Sequence, residues 1–147
     1  MQNPKRTKYR KYQKGSIGGI QSNTTELIFG KFGLKSLDVG RLSAKNIETI
    51  RRLITRKFKR TGQVWARIFP DIPVTAKPSE VRMGKGKGAP SYWISRVVPG
   101  QVLFEMDGIP FSLAQAAAEL VSEKLAIKTK LVIVDKVTKR KTKFPLG

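Results

Sequence analysis

Two stretches of this chain carry residues whose type and spacing bear on chemistry. In Arg82-Met83-Gly84-Lys85-Gly86-Lys87-Gly88, glycines alternate with larger residues, two of them lysines. Glycine tolerates positive φ and lets backbone amides approach an anion closely, while Lys85 and Lys87 add point charges, so the run resembles a phosphate cradle. It is not a nucleoside-triphosphate loop, because Gly88 is followed by Ala89 and Pro90 rather than by Lys and then Ser or Thr. The dinucleotide fingerprint fails as well, with Ala89 where its last glycine belongs. Flanked by prolines, the run reads as a finger between nucleic-acid backbones, with a mobile basic hairpin tip as the alternative. The second stretch holds Glu105 and Asp107, which share one face of a regular strand and at that spacing suit Mg²⁺ in a nuclease. Asp107 precedes Gly108 as a turn residue, Glu105 has abundant cations to pair with, and no third carboxylate completes a site. A structural role is the expectation for both.

With no Cys and no His, the chain has no thiolate nucleophile, no thiolate or imidazole metal ligand and no imidazole base. No catalytic residue, metal, cofactor or small-molecule substrate is expected. What dominates is charge: 30 Lys and Arg against 10 Asp and Glu give a formal +20 over 147 residues. A chain that repels itself so strongly suits a dense polyanion. Hydrophobic residues at 39% nevertheless support a folded body, which separates the chain from wholly disordered basic proteins. No apolar run approaches the ~20 residues that span a bilayer, and no membrane partner is expected.

The elements that position these residues are read from pattern. Residues 1–23 are basic and Gly-punctuated, with Lys5, Arg6, Lys8, Arg10, Lys11 and Lys14 and no acid among the first fifteen. They read as an arm ordered by a partner, a solvated tail being the alternative. Tyr9 and Tyr12 lie among those cations and suit base stacking. Residues 24–135 form a single domain in which 77–90 is the nucleic-acid-contacting loop, and 136–147 make a basic tail. Within the domain, Thr24 to Phe29 reads as a strand, and a helix runs from about Ala44 to Thr61 with Ser43 as N-cap. Ala44, Ile47, Ile50, Ile54 and Phe58 share its apolar arc, Arg51 snorkels at the edge, and Arg52, Arg56, Lys59 and Arg60 fall on the outer face with Lys45. That outer face is nearly of one sign, so phosphate contact is preferred to a merely solvated surface.

Gln63 to Phe69 alternates as a strand, and Pro70, Pro73 and Pro78 predict an extended connection. Tyr92 to Val98 and Val102 to Met106 predict a hairpin through Pro99-Gly100. Leu113 to Leu125 predicts a second helix, capped by Ser112 with Gln115. Leu131 to Val134, all aliphatic, predicts a strand interior to a sheet. Phe58, Phe69, Phe104, Trp65 and Trp93 are expected in the core. The interleaving predicts an α+β fold, mainly antiparallel or mixed, with two helices.

Several runs together carry a resemblance. Pro4-Lys5-Arg6-Thr7-Lys8-Tyr9-Arg10-Lys11, Phe32-Gly33-Leu34-Lys35, Arg41-Leu42-Ser43-Ala44, Ile68-Phe69-Pro70-Asp71, and Val81 through Gly88 resemble the bacterial-type family of the sixteenth large-subunit ribosomal protein. Tyr92-Trp93, Glu105-Met106-Asp107-Gly108 and Ile127-Lys128-Thr129 continue the likeness, which covers residues 1 to about 134. It implies a hammerhead-like α+β fold and a structural, non-enzymatic role on large-subunit rRNA near the aminoacyl-site tRNA, beside neighbouring ribosomal proteins. It also implies an RNA-buried arm at Lys5 to Lys14 and a loop, Arg82 to Gly88, directed at the peptidyl-transfer region. Ser16 to Glu26, Ile72, Ser91 and the tail after Val134 depart from the family pattern, so no RNA contact is carried onto them. Lys and Ile richness with these departures points to an organelle ribosome, a mitochondrion before a plastid, with the bacterial cytoplasm as alternative. Met1 stands almost where the family begins, so an organellar version is expected to be made inside the organelle. The rivals from other classes are a metal-dependent nuclease and an architectural DNA-binding protein.

Overall fold

The computed structural model describes residues 3–19 and 25–134. The predicted C-terminal tail therefore lies outside the described residues. In chain order the elements are β1 (Phe32–Ser36), β2 (Gly40–Ser43), α1 (Ala44–Lys57), β3 (Gln63–Ala66), β4 (Ile72–Ala76), β5 (Ala89–Val97), β6 (Val102–Asp107), α2 (Phe111–Lys124) and β7 (Thr129–Ile133). Four strands form sheet A in the order β3-β6-β1-β7, and three form sheet B in the order β2-β5-β4. All pairings are antiparallel, so the predicted α+β class holds without a mixed sheet.

The apolar arc of α1 packs Ile47, Ile50, Ile54 and Phe58 into one core with Leu34, Phe104 and Met106 of sheet A and Ala114, Ala117 and Val121 of α2. Ser43 caps α1 as its sequence predicts, its Oγ accepting the Asn46 amide at 3.2 Å. The helix ends at Lys57, short of Thr61. Phe58 must stay in the core, and Lys59 and Arg60 then take left-handed φ of 49° and 66° to turn the chain into β3.

Other expectations are corrected. Thr25 to Phe29 is not a strand; the amides of Ile28, Phe29 and Gly30 donate to the Glu105 carboxylate instead of to a ladder. Gly30 lies so close to β6 that a Cβ on it would come within 2.5 Å of the Met106 carbonyl oxygen. The β5–β6 hairpin does not form. The turn at Pro99-Gly100 passes from sheet B to sheet A, with the Gly100 amide donating to the Ser36 carbonyl (2.8 Å) and the Ser36 amide to the Gln101 carbonyl (2.9 Å). The predicted connection after Pro70 contains a strand, β4, at the edge of sheet B, where Pro73 needs no ladder donor on its open side. Helix α2 starts at Phe111 with Pro110 as N-cap and no side-chain cap bond. Proline's fixed φ sets the entry, and Gln115 donates to Glu119 rather than closing a capping box. Strand β7 is an edge strand, not an interior one. Phe69 is half-exposed, and Trp65 and Trp93 are only partly buried.

Candidate nucleic-acid interface

The nuclease reading is tested by Glu105, which is fully buried on β6. Its Oε2 accepts the amides of Ile28 (3.1 Å), Phe29 (2.6 Å) and Gly30 (2.8 Å), and its Oε1 accepts Arg67 Nη1. Burial pushes this carboxyl up, but the Gly30 amide, the Arg67 guanidinium and the Phe29 and Ile28 amides together hold it below the ordinary carboxylate value. Both oxygens are engaged, which leaves no room for Mg²⁺. Asp107 Oδ1 accepts the Gly108 amide at 2.8 Å as a turn residue. Among the described residues no three of His, Cys, Asp or Glu group as a metal site. Both carboxylates are structural.

The cations fall into three groups. The first is the arm, whose described residues 3–19 carry no helix or strand and whose Lys5, Arg6, Lys8, Arg10, Lys11 and Lys14 are exposed. Lys8 Nζ stands 5.5 Å from the Tyr9 ring centre, and Tyr9 meets Tyr12 edge-on at 6.5 Å. The arm is tied to the body by main-chain acceptors. Arg41 Nη2 donates to the Gly15 carbonyl at 2.7 Å, and Arg96 Nη2 to the Lys14 carbonyl at 2.9 Å.

The second group is the loop. Arg82 through Lys87 are all exposed, with Met83 99% exposed, and Gly88 is partly buried against the Ala76 backbone. Gly84, Lys85 and Gly86 take φ of 100°, 54° and 81°, a run of left-handed residues that the glycines allow and Lys85 adopts at a cost of about 1–2 kcal/mol. Lys77 Nζ, on the stem, donates to the Gly84 carbonyl. Arm and loop clasp one another: Lys11 Nζ donates to the Lys87 carbonyl at 2.7 Å, and Lys87 Nζ donates to the Tyr12 carbonyl.

The third group closes α1. Arg52, Arg56, Lys59 and Arg60 are exposed and, with Arg51 and Thr55, line a shallow depression of about 360 Å³. Arg56 also sits in the helix's last turn, where a cation complements the dipole. Arg51, partly buried at the edge of the arc, turns its head group to Glu48, Nε and Nη2 donating at 2.9 and 2.8 Å, and Arg52 Nε reaches the same carboxylate at 2.8 Å. The hydrogen bonds from Arg51 and then Arg52 hold Glu48 down to about 2.

Sequence reasoning missed Arg41 and Arg96, which face each other across β2 and β5. Like charges directly opposite destabilise a strand pair unless each has another partner, and here both turn to the arm's carbonyls. That opposition was the available signal, but it needed the strand register.

The fold and these surfaces define a basic α+β protein that gathers cations from distant parts of the chain. The sequence matches the family of ribosomal protein L16p/L10e over residues 4–132, and the chain belongs to that family. It is 56% identical over 132 residues to the large ribosomal subunit protein uL16 of Azorhizobium caulinodans, covering 90% of this chain and 96% of that protein. It is 56% identical over 133 residues to uL16m of Prototheca wickerhamii, covering 90% and 98%, and 58% identical over 132 residues to uL16 of Gluconacetobacter diazotrophicus, covering 90% and 96%.

Proposed function

We propose that this chain is a structural constituent of the large ribosomal subunit that binds large-subunit rRNA and helps position aminoacyl-site tRNA, performing no chemistry itself. The observation that carries the reading is the clasp between Lys11 and Lys87, which joins two basic extensions into one surface. In this reading Lys5, Arg6, Lys8, Arg10, Lys11 and Lys14 grip rRNA phosphates, and Arg52, Arg56, Lys59 and Arg60 fix the orientation of the domain. Arg82, Lys85 and Lys87 brace rRNA and tRNA at the loop, where Met83 and the three glycines Gly84, Gly86 and Gly88 let the backbone come close. Neighbouring ribosomal proteins are the remaining partners. The particle belongs to an organelle, a mitochondrion first, which the uL16m relative supports and the bacterial relatives leave as an alternative.

With about 6 to 10 phosphates contacted, affinity for isolated large-subunit rRNA falls by about 10³ to 10⁵ between 50 and 200 mM salt. The tagged chain is expected to sediment with large subunits and crosslink to their RNA. Recovery with DNA, or a shallow salt slope, refutes the proposal.

A further inference from the structure

We propose that the cleft between the arm and sheet B is a seat for one extruded nucleotide of the bound RNA, an inference that rests on the RNA-binding reading above. The cleft measures about 590 Å³, inside the ~300–1,000 Å³ range of pockets that enclose small ligands. Its walls come from elements far apart in sequence: the arm, the start of α1, β4 and β5.

Three features select the occupant. The cleft lining includes the apolar Ile72, Val74 and Ile94. Two tyrosines border it, Tyr12 from the arm and Tyr92 from β5, 41% and 50% exposed, and such rings stack on any base because every base has a π-face. Among the described residues the charged ones at the cleft are all cations, Lys14, Arg41 and Lys87, and no Asp or Glu lines it. Arg41 and Lys87 donate to the carbonyls of Gly15 and Tyr12, which are neutral acceptors and leave the positive charge uncompensated. An apolar slot edged by rings favours a planar heterocycle over a bare phosphate, and the surrounding charge favours one that carries a phosphodiester. Ser43 and Asn46, at the first turn of α1, add hydroxyl and amide groups for the polar edge of the base.

A stacked base inside a duplex cannot enter such a cleft, so the seat discriminates for an unpaired, bulged nucleotide. The arm closes one side, and the Lys87 bond to the Tyr12 carbonyl holds it there, so seating the nucleotide and clasping the loop reinforce each other.

The test uses the full chain and two RNA hairpins identical but for one bulged adenosine, with free AMP as a third ligand. The expected result is about tenfold tighter binding of the bulged hairpin at fixed salt. The preference should disappear in Asn46→Trp, which narrows the cleft without removing a cation, and in Tyr92→Ala, which removes one ring without narrowing it. Both variants should bind the unbulged hairpin within about twofold of the wild type, and AMP at least 100-fold more weakly than the bulged hairpin. Equal affinity for the two hairpins, with the steep salt slope intact, overturns the seat and leaves the RNA-binding function standing. Loss of salt-sensitive binding to both hairpins overturns that function. A tenfold preference that survives in both variants locates the seat elsewhere and overturns the assignment. Micromolar AMP binding with no gain from the bulge overturns RNA as the source of the nucleotide.

Discussion

The two sheets use their cations in opposite ways. Beside sheet A, Arg67 is 13% exposed and pairs with a fully buried carboxylate, so its charge is cancelled where it stands. Beside sheet B, Arg41, Arg96 and Lys87 meet only main-chain carbonyls among the described residues. A carbonyl orients a cation without neutralising it, so this side of the molecule keeps its field while fixing the positions of its charges. Cancelled charge builds structure, and oriented but uncancelled charge builds an interface. The +20 of the chain is therefore not spread evenly in its consequences.

Glu105→Ala puts this division of charge under the heaviest load. Removing the carboxylate leaves the mostly buried Arg67 without its counter-charge and three amides, of Ile28, Phe29 and Gly30, without their acceptor. Breaking a buried pair of this kind costs about 3–5 kcal/mol, measured as a shift in urea or thermal unfolding of the free chain. Glu105→Gln keeps the shape and should cost less. The sign of the pH dependence follows from the lowered carboxyl. Stability from Glu105 is full above its unfolded value near 4.5 and declines as pH falls through the folded value below it. If Glu105→Ala unfolds like the wild type, the division between the sheets fails.

How far the sequence anticipated this division depends on what each contact is made of. Helix α1 was legible because its apolar arc and the Ser43 cap are side-chain signals at short range. The cation groups were legible as composition, and the family as strings of residues. The acceptors that organise those cations were not, because Gly15, Tyr12, Lys14 and Lys87 take part through their carbonyls, which every residue possesses. The segment before β1 misled for the same reason. Its β-favouring residues predicted a strand, but a buried carboxylate captured the amides that a ladder needs. Pro73 hid β4, and the Pro99-Gly100 turn concealed a change of sheet, since both depend on which strand lies alongside.

The middle-sized effect lies on the interface side. Reversing both loop charges, Lys85→Glu with Lys87→Glu, should weaken binding to large-subunit rRNA at least tenfold at 50 mM salt, with the deficit narrowing as salt rises. Unfolding stability should stay within about 0.5 kcal/mol, because both residues are exposed and the clasp is made at the surface. In cells, the double variant should assemble into large subunits yet slow translation. Normal translation with normal incorporation would remove the loop from the interface. Equal losses of stability and affinity would mean that its charges serve the fold after all.

Cancelled and uncancelled charge meet at the end of α1. Glu48 on α1 binds Arg51 and Arg52 together, so among the described residues the α1 group alone of the three is partly neutralised. The residue is only partly exposed, at 28% for its side chain, but its arginines are open to solvent, which keeps the worth of the fan to about 0.5–1 kcal/mol. Because its carboxyl is held at about 2, that contribution is full above pH 4.5, shrinks as pH falls below that value and is lost only as pH falls through 2. Glu48→Gln should therefore lower stability at pH 7 by no more than this, and the loss should shrink below pH 4.5 and vanish only once pH has fallen through 2. The same change frees Arg51 and Arg52 and adds one positive charge to the cluster. If the cluster meets phosphate, rRNA affinity at 50 mM salt should rise about two- to threefold and converge with the wild type at high salt. Loss of stability with no gain in affinity would assign Arg52, Arg56, Lys59 and Arg60 to the solvated surface instead. The sign of the affinity change thus decides on which side of the molecule's division of charge the end of α1 belongs.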